Sequence, residues 1–432
     1  MTEKCWRQSL IRLSFSSGIA SVMALAGGSV LAGPDGFGAP YPKSEFLPSF
    51  EVDWSTLRRD AAESDLFPMT WADDGSVYTM WGDGGGFGEG AIQDSYVSIG
   101  LARLKGERAG TITGENLIGG ARPRVAPCFA PAGGKTESRD KLGARGTCTD
   151  KGLHGKSASM LAMDGDLYTF ISPGGGLGPY EEARLYKAPA GTNKWRRADW
   201  AFGGKPADGR LTMPAFLQAG RGYRDKSDYV YAYGARLAPR STDSGLDLQD
   251  GPNGGEIALL RAPRNADLMQ RGSWDYFAGL GKDNAPQWSG SPDEITPVIR
   301  DKNGVGWTTS AIYVKQLKRY LVATEHGMHG GTNLTLLESP NPWGPWKTVA
   351  YKKLADPQGR IDTRGFYFNF APQSLSEDGK EFTLAWTGGG NADAMIMIDG
   401  RFETGKDDGE TPPEGPVTEP PGERISRLRP TR

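Results

Sequence analysis

The sequence predicts an all-β protein, and three observations carry that prediction. Gly occurs 62 times in 432 residues beside 12 Trp, 15 Tyr and 16 Phe, a composition of turns and aromatic strands. A turn-plus-strand phrase of ten residues returns five times along the chain. No long stretch of helical apolar spacing separates the copies.

The five phrases are DGSVYTMWGD from Asp74, DGDLYTFISP from Asp164, SDYVYAYGAR from Ser227, LKRYLVATEH from Leu317 and KEFTLAWTGG from Lys380. Their starts are 90, 63, 90 and 63 residues apart, a repeat with insertions in alternate copies. Four are followed by a second apolar strand: VSIGLARL, ARLYKAP, IALLRAP and TNLTLLESP. Three of these end in Pro and lead to a tryptophan, Trp195, Trp274 or Trp343, while the fifth copy runs into AMIMI without the Pro. Repeated multi-strand units are expected to form blades around an axis, so residues 53–402 are read as a five-bladed β-propeller of glycosidase type. A β-sandwich with chance similarity between strands is the alternative.

Residues 1–32 read as a signal peptide. Lys4, Arg7 and Arg12 form a basic start, Phe15 to Leu31 is apolar with small residues, and Val30-Leu31-Ala32 fits a cleavage site. A secreted or periplasmic protein beginning near Gly33, without stable membrane insertion, is expected. Residues 33–52, rich in Gly and Pro at first, read as an extended lead-in. Residues 403–432, Pro- and charge-rich, are too polar to order themselves. Without residues 1–32 two cysteines remain, Cys128 and Cys148, and in an exported chain they are expected to pair. A bridge spanning 20 positions is worth roughly 3 kcal/mol when unstrained.

Formal net charge is −2, which offers no basic field for nucleic acid. The richest stretch is Ser64 to Gly88. Leu66 to Ala72 and Val77 to Trp81 read as two strands joined by Asp73-Asp74-Gly75. Antiparallel pairing places the outer ends of such a hairpin together, so Asp65 and Asp83 are expected at one sheet edge. Gly84, Gly85 and Gly86 then leave Asp83 open to a ligand. Strand-end carboxylates that only bind water are the plainer reading.

HGKS at His154 to Ser157 lacks the first glycine of a phosphate loop. Lys156 either holds an anionic or hydroxylated ligand or is an exposed turn lysine. Glu325 and His326, with His329 nearby, occupy the fourth phrase where the first has Gly82-Asp83, and their spacing is weak for a metal. No metal and no cofactor is expected. Asp94, Lys156, Trp288, Glu325 and His326 are the candidate substrate-binding residues, with Trp81, Trp288 and Trp307 as sugar platforms. No nucleophile elbow, reactive-cysteine context or dinucleotide fingerprint is present. What remains is acid–base work by two carboxylates, as glycosidic hydrolysis requires.

An Asp, a turn, an apolar strand ending in W-G-D, a later G-K-S and the W-G-P-W of Trp343 to Trp346 together resemble a bacterial family first catalogued as domain-of-unknown-function family 4185. The resemblance runs from about Asp53 to Phe402. It implies a five-bladed propeller, endo-acting hydrolysis of D-arabinan in some members, and an acid–base pair that falls on Asp65 and Asp83. The chain departs from the pattern at Ser64 and Gly84, where Thr is usual. A non-catalytic glycan-binding or cell-envelope propeller is the competing expectation.

Overall fold

The computed structural model describes residues 37–88, 97–118, 155–172, 182–203, 208–226, 228–236, 255–306, 308–327, 330–361, 364–389 and 393–406, with only the backbone at positions 83, 97 and 98. Cys128, Cys148, Asp94 and Trp307, together with residues 1–36 and 407–432, lie outside the described residues.

The described chain is all-β; no described residue is α-helical. No described helix is long and apolar enough to cross a membrane. Strand β1 (Ser49–Asp60) comes first. The first meander is β2 (Met69–Trp71), β3 (Val77–Gly84), β4 (Val97–Lys105) and β5 (Thr113–Ile118). The second is β6 (Leu161–Met163), β7 (Asp166–Ile171), β8 (Glu182–Pro189) and β9 (Arg196–Gly203). The third is β10 (Leu211–Gln218), β11 (Tyr229–Arg236), β12 (Glu256–Pro263), β13 (Asp275–Leu280) and β14 (Pro286–Ser289), with β15 (Ile299–Arg300) paired to β12. The fourth is β16 (Ser310–Val314), β17 (Arg319–Glu325), β18 (Asn333–Ser339) and β19 (Lys347–Lys353). The fifth is β20 (Gly365–Phe370), β21 (Glu381–Gly388) and β22 (Met395–Glu403).

Each of the five sequence phrases falls on the turn and second strand of a meander, so the repeat and the architecture coincide. The fifth phrase lacks a Pro-and-Trp continuation because its outermost strand comes from the other end of the chain. β1 pairs antiparallel with β22, from Ser49 opposite Glu403 to Asp60 opposite Met395. Part of the expected lead-in therefore belongs to a sheet. One phenylalanine from each strand seals that joint: Phe50 stacks on Phe382 at 5.4 Å, and Phe402 and Phe370 lie 4.5 and 5.1 Å from Phe382. Such ring pairs add about 0.5–1.5 kcal/mol each beyond the area they bury.

Hydrogen bonds link the meanders in order. Ala162 N donates to Thr70 Oγ1 at 2.8 Å between the second and first, and Phe216 N donates to Ser159 Oγ at 3.3 Å between the third and second. β10 and β16 pair in parallel between the third and fourth. Ser310 Oγ donates to Phe368 O at 2.6 Å between the fourth and fifth. Leu66 N donates to Thr387 Oγ1 at 2.9 Å between the first and fifth. A cavity of about 20 Å³ is lined by residues in or just before the first strand of every meander, among them Met69, Ser159, Phe216, Ala311 and Asn369.

The first strands of the first, second, third and fifth meanders share a local distortion. Asp65 faces Gly82 but Met69 faces Thr79, so one strand spends four steps where its partner spends three. The same extra residue falls between Lys156 and Leu161, between Thr212 and Ala215, and between Phe366 and Asn369. Leu66, Met213 and Tyr367 take positive φ of 53°, 44° and 55° there. These bulges re-aim the residues before them, which is how sheets often present a site. The first also shortens the expected strand from Leu66 to Ala72 to the three residues of β2.

Candidate functional site

Asp65 stands just before the first bulge. Its N–H donates to Gly82 O at 2.9 Å, and its carbonyl oxygen accepts from Gly82 N at 2.6 Å. The hairpin therefore brings the Asp65 backbone beside the strand position preceding Asp83, as the sequence predicts. Asp83 lies within β3; its side chain is outside the described residues.

Lys156 holds the equivalent place in the second meander. It exchanges backbone hydrogen bonds of 2.8 and 2.9 Å with Ser172. Its ammonium Nζ donates to both Asp65 oxygens, at 2.8 and 3.0 Å. The Lys156 side chain is 3% exposed and that of Asp65 14%. The alternative of an exposed turn lysine is thus overturned: the chain enters the second meander through a backbone bridge that carries Lys156 inward. A cation at this distance favours the ionised carboxylate. A side chain at Gly82 would collide with Asp65 Oδ1 and reach 3.2 Å from Lys156 Nζ, so the pair occupies the space glycine leaves.

The glycine run is not an open mouth. Gly84, Gly85 and Gly86 are buried. Gly86 N donates to Ser64 Oγ at 2.9 Å, and Trp81 Nε1 donates to Gly84 O at 3.0 Å. Asn116 Nδ2 donates to Gly85 O at 3.1 Å. A Cβ on Gly84 would strike Ser64, and one on Gly86 the Trp81 ring. Close packing, rather than ligand access, explains these glycines. Trp81 itself is 1% exposed and serves the core, not a sugar.

Neither a protein-family model nor a curated protein matches the chain. Solved structures do. A GH43_1 enzyme from Xanthomonas citri is 11% identical, with a TM-score of 0.43 over 81% of this chain and 94% of its own. An α-L-arabinofuranosidase from Lactobacillus brevis is 10% identical, with a TM-score of 0.40 over 80% and 92%. A family 117 glycoside hydrolase from Zobellia galactanivorans is 12% identical, with a TM-score of 0.39 over 84% and 93%. At such identity and superposition no residue role passes from them to this chain.

Glu325 ends β17 and His326 follows it, at the end of the fourth meander that corresponds to Asp65 in the first, and both are buried. Gly330 N donates to Glu325 Oε1 at 3.2 Å. The His326 ring stacks on Tyr351 at 3.6 Å and 11°, meets the edge of Phe37 at 5.5 Å, and places Nδ1 2.9 Å from Thr335 Oγ1. That is a packed imidazole, not a ligand reaching out. Beneath it Tyr351 donates to Asp301 Oδ2 at 2.9 Å and accepts from Asn303 Nδ2 at 2.8 Å. Burial raises the Asp301 carboxyl above its ordinary pKa, against hydrogen bonds from Asn303 and Tyr351 and the charge of Lys302. No group of three or more metal-ligating side chains occurs among the described residues.

Trp288 lies apart from Asp65. It lies on β14, the outer edge strand of the third meander, packed against Phe277 at 5.6 Å and Trp343 at 6.3 Å. The Arg261 guanidinium sits 4.0 Å over its ring and 4.1 Å from Tyr229. Arg261 is five residues along β12 from Glu256, about 16 Å at strand rise, so this cluster is remote from the Asp65 end.

Sequence reasoning missed the pairing of Lys156 with Asp65. A signal existed: Asp65 stands nine residues before Asp74 and Lys156 eight before Asp164, the starts of two repeat phrases. Extending the repeat upstream would have aligned them.

Proposed function

We propose that this chain is a five-bladed β-propeller and an exported glycoside hydrolase acting on a polysaccharide, with a D-arabinan-like furanoside as the first substrate to test. The five meanders, the hydrogen-bond links that return from the fifth to the first, and the shared cavity support the propeller. Cys128 and Cys148 form a disulfide in this reading.

The observation that carries the reading is the Asp65–Lys156 pair at the end of two adjacent first strands. Hydrolysis of a glycosidic bond needs one carboxyl that protonates the departing oxygen and one carboxylate that activates water or attacks the sugar. Lys156 favours the ionised form of Asp65, which suits the second role. Asp83 takes the proton-donating role. One observation favours a second reading: a buried ammonium that grips a carboxylate across two sheets also works as a latch, in a propeller that binds glycan without cleaving it.

The test is a panel of plant, fungal and bacterial glycans digested by the purified protein, repeated with Asp65→Asn and Asp83→Asn. Hydrolysis by the parent and loss in both variants supports the reading. Full activity in either variant removes that aspartate from the chemistry. Glycan binding without release of sugar moves the latch reading ahead.

A further inference from the structure

Among the described residues, one end of the third meander carries more arginines than carboxylates that pair with them. Arg236 closes β11 opposite Leu211 and next to Glu256 of β12, which in turn faces Arg300 of β15. Glu256 accepts from both arginines, Arg236 Nη1 at 2.9 Å through one oxygen and Arg300 Nη1 at 2.7 Å through the other. Arg236 Nε also donates to Gly209 O at 3.0 Å. Arg210, immediately before β10, makes no side-chain hydrogen bond or ion pair among the described residues, and its Nε is buried without an acceptor. Among the described residues, three guanidinium groups therefore gather at one carboxylate, which pairs with two of them. Burial lowers the Arg236 pKa; Glu256 opposes this, and Arg210 and Arg300 add to the lowering, as an uncompensated cluster requires.

This cluster faces the same end as Asp65. First strands of neighbouring meanders run in the same direction: Lys156 and then Ala162 follow Asp65 and then Thr70, and Ser159 and then Met160 follow Phe216 and then Gln218. Going round from Asp65, the second meander brings Lys156 and the third brings the arginines. We infer that Arg210, Arg236 and Arg300 form an anion subsite, one meander beyond Lys156, that receives a carboxylate, sulfate or phosphate substituent of a bound glycan. Planar guanidinium forks match such oxyanions bidentately, and an incoming anion supplies the acceptor Arg210 Nε lacks. This inference rests on the glycan reading above, and binding is measured apart from hydrolysis.

The experiment is affinity electrophoresis of the full chain through gels containing polygalacturonate, dextran sulfate or neutral dextran. Retardation by polygalacturonate alone identifies a carboxylate, and by dextran sulfate alone a sulfate or phosphate. Arg210→Gln is expected to weaken retention about tenfold, because it removes a charge-assisted pair. Glu256→Gln is expected to strengthen it, since the internal competitor for Arg236 and Arg300 is gone. Arg300→Gln, at an exposed side chain, repeats the Arg210 test without risk to folding. Lys105→Gln, an exposed lysine where β4 ends, controls for general charge and is expected to change nothing. The inference is overturned by no retention on either anionic gel, by equal losses in Lys105→Gln and Arg210→Gln, or by weaker binding in Glu256→Gln. Hydrolysis of neutral glycan without anionic retention would overturn this inference alone, and retention without any hydrolysis would leave it standing while the hydrolase reading falls.

Discussion

Two clusters of buried polar groups occupy corresponding ends of the first and fourth meanders, and they are built oppositely. At the first, Asp65 keeps a partly open carboxylate against the ammonium of Lys156. At the fourth, Asp301 is 2% exposed, is hydrogen-bonded by a tyrosine and an asparagine, and lies beneath a histidine sandwiched by Tyr351 and Phe37. The first cluster has compensated charge and an access side. The second is closed by rings. Equivalent positions in a repeat therefore do not share a role: one end is available for chemistry and the other is interior.

Breaking the first cluster should give the largest effect. Asp65→Asn is expected to cut turnover on a confirmed substrate by about 10²–10⁴-fold, the usual worth of positioned acid–base catalysis. Stability falls as well, because the variant strands Lys156 without its counter-charge at 3% exposure; breaking such a pair costs about 3–5 kcal/mol. The buried lysine is the reason stability falls together with turnover. The double variant Asp65→Asn with Lys156→Met separates the two effects. Denaturant melts should show most of the stability restored while turnover stays lost. Restored turnover in the double variant would reduce Asp65 to a structural partner.

Lys156→Met alone tests which protonation state matters. Without the cation the Asp65 carboxylate is less favoured, so the acid limb of the rate profile should move to higher pH. A profile that falls in amplitude without moving would mean that Lys156 touches substrate instead of holding Asp65. Gly82→Ala should reproduce part of this loss, because the new methyl group enters the space of Asp65 Oδ1.

The second cluster should respond in stability only. His326→Ala removes a buried ring stacked at 3.6 Å and is expected to cost about 2–4 kcal/mol, read by urea melts. Turnover per folded molecule should stay at the parent level. A loss of turnover with an unchanged melt would return Glu325 and His326 to the candidate site.

How much of this was legible follows from which residues carried local signals. The meanders were legible because turn, β-branched and aromatic residues recur in one order, and because the missing Pro of the fifth copy matches a strand borrowed from Ser49–Asp60. The edge shared by Asp65 and Gly82 followed from hairpin geometry. Lys156 was not legible as the partner of Asp65, since the two are 91 residues apart and meet only when two sheets pack. The glycines after Asp83 misled because an open loop and a tight packing joint use the same residue. The place of Trp288 was not legible, because an aromatic side chain alone does not reveal that its strand lies at an outer edge.

The smallest effect, and the sharpest on the contrast, concerns Asp301. Burial raises its pKa above the ordinary 3.8 of an aspartate, so the folded state prefers the protonated group. Linkage then fixes the sign: in the pH interval between the unfolded value and the raised folded value, the folded state binds more protons than the unfolded one. The stability this group contributes is complete below about pH 3.8 and is lost as pH rises through the folded value. Asp301→Asn cannot ionise and escapes that loss. Melts of parent and variant from pH 3 upward should therefore shift in the variant's favour as pH rises, then run parallel. If the parent instead gained on Asp301→Asn with rising pH, Asp301 would be a compensated charge, and the fourth meander would hold a second site like the first.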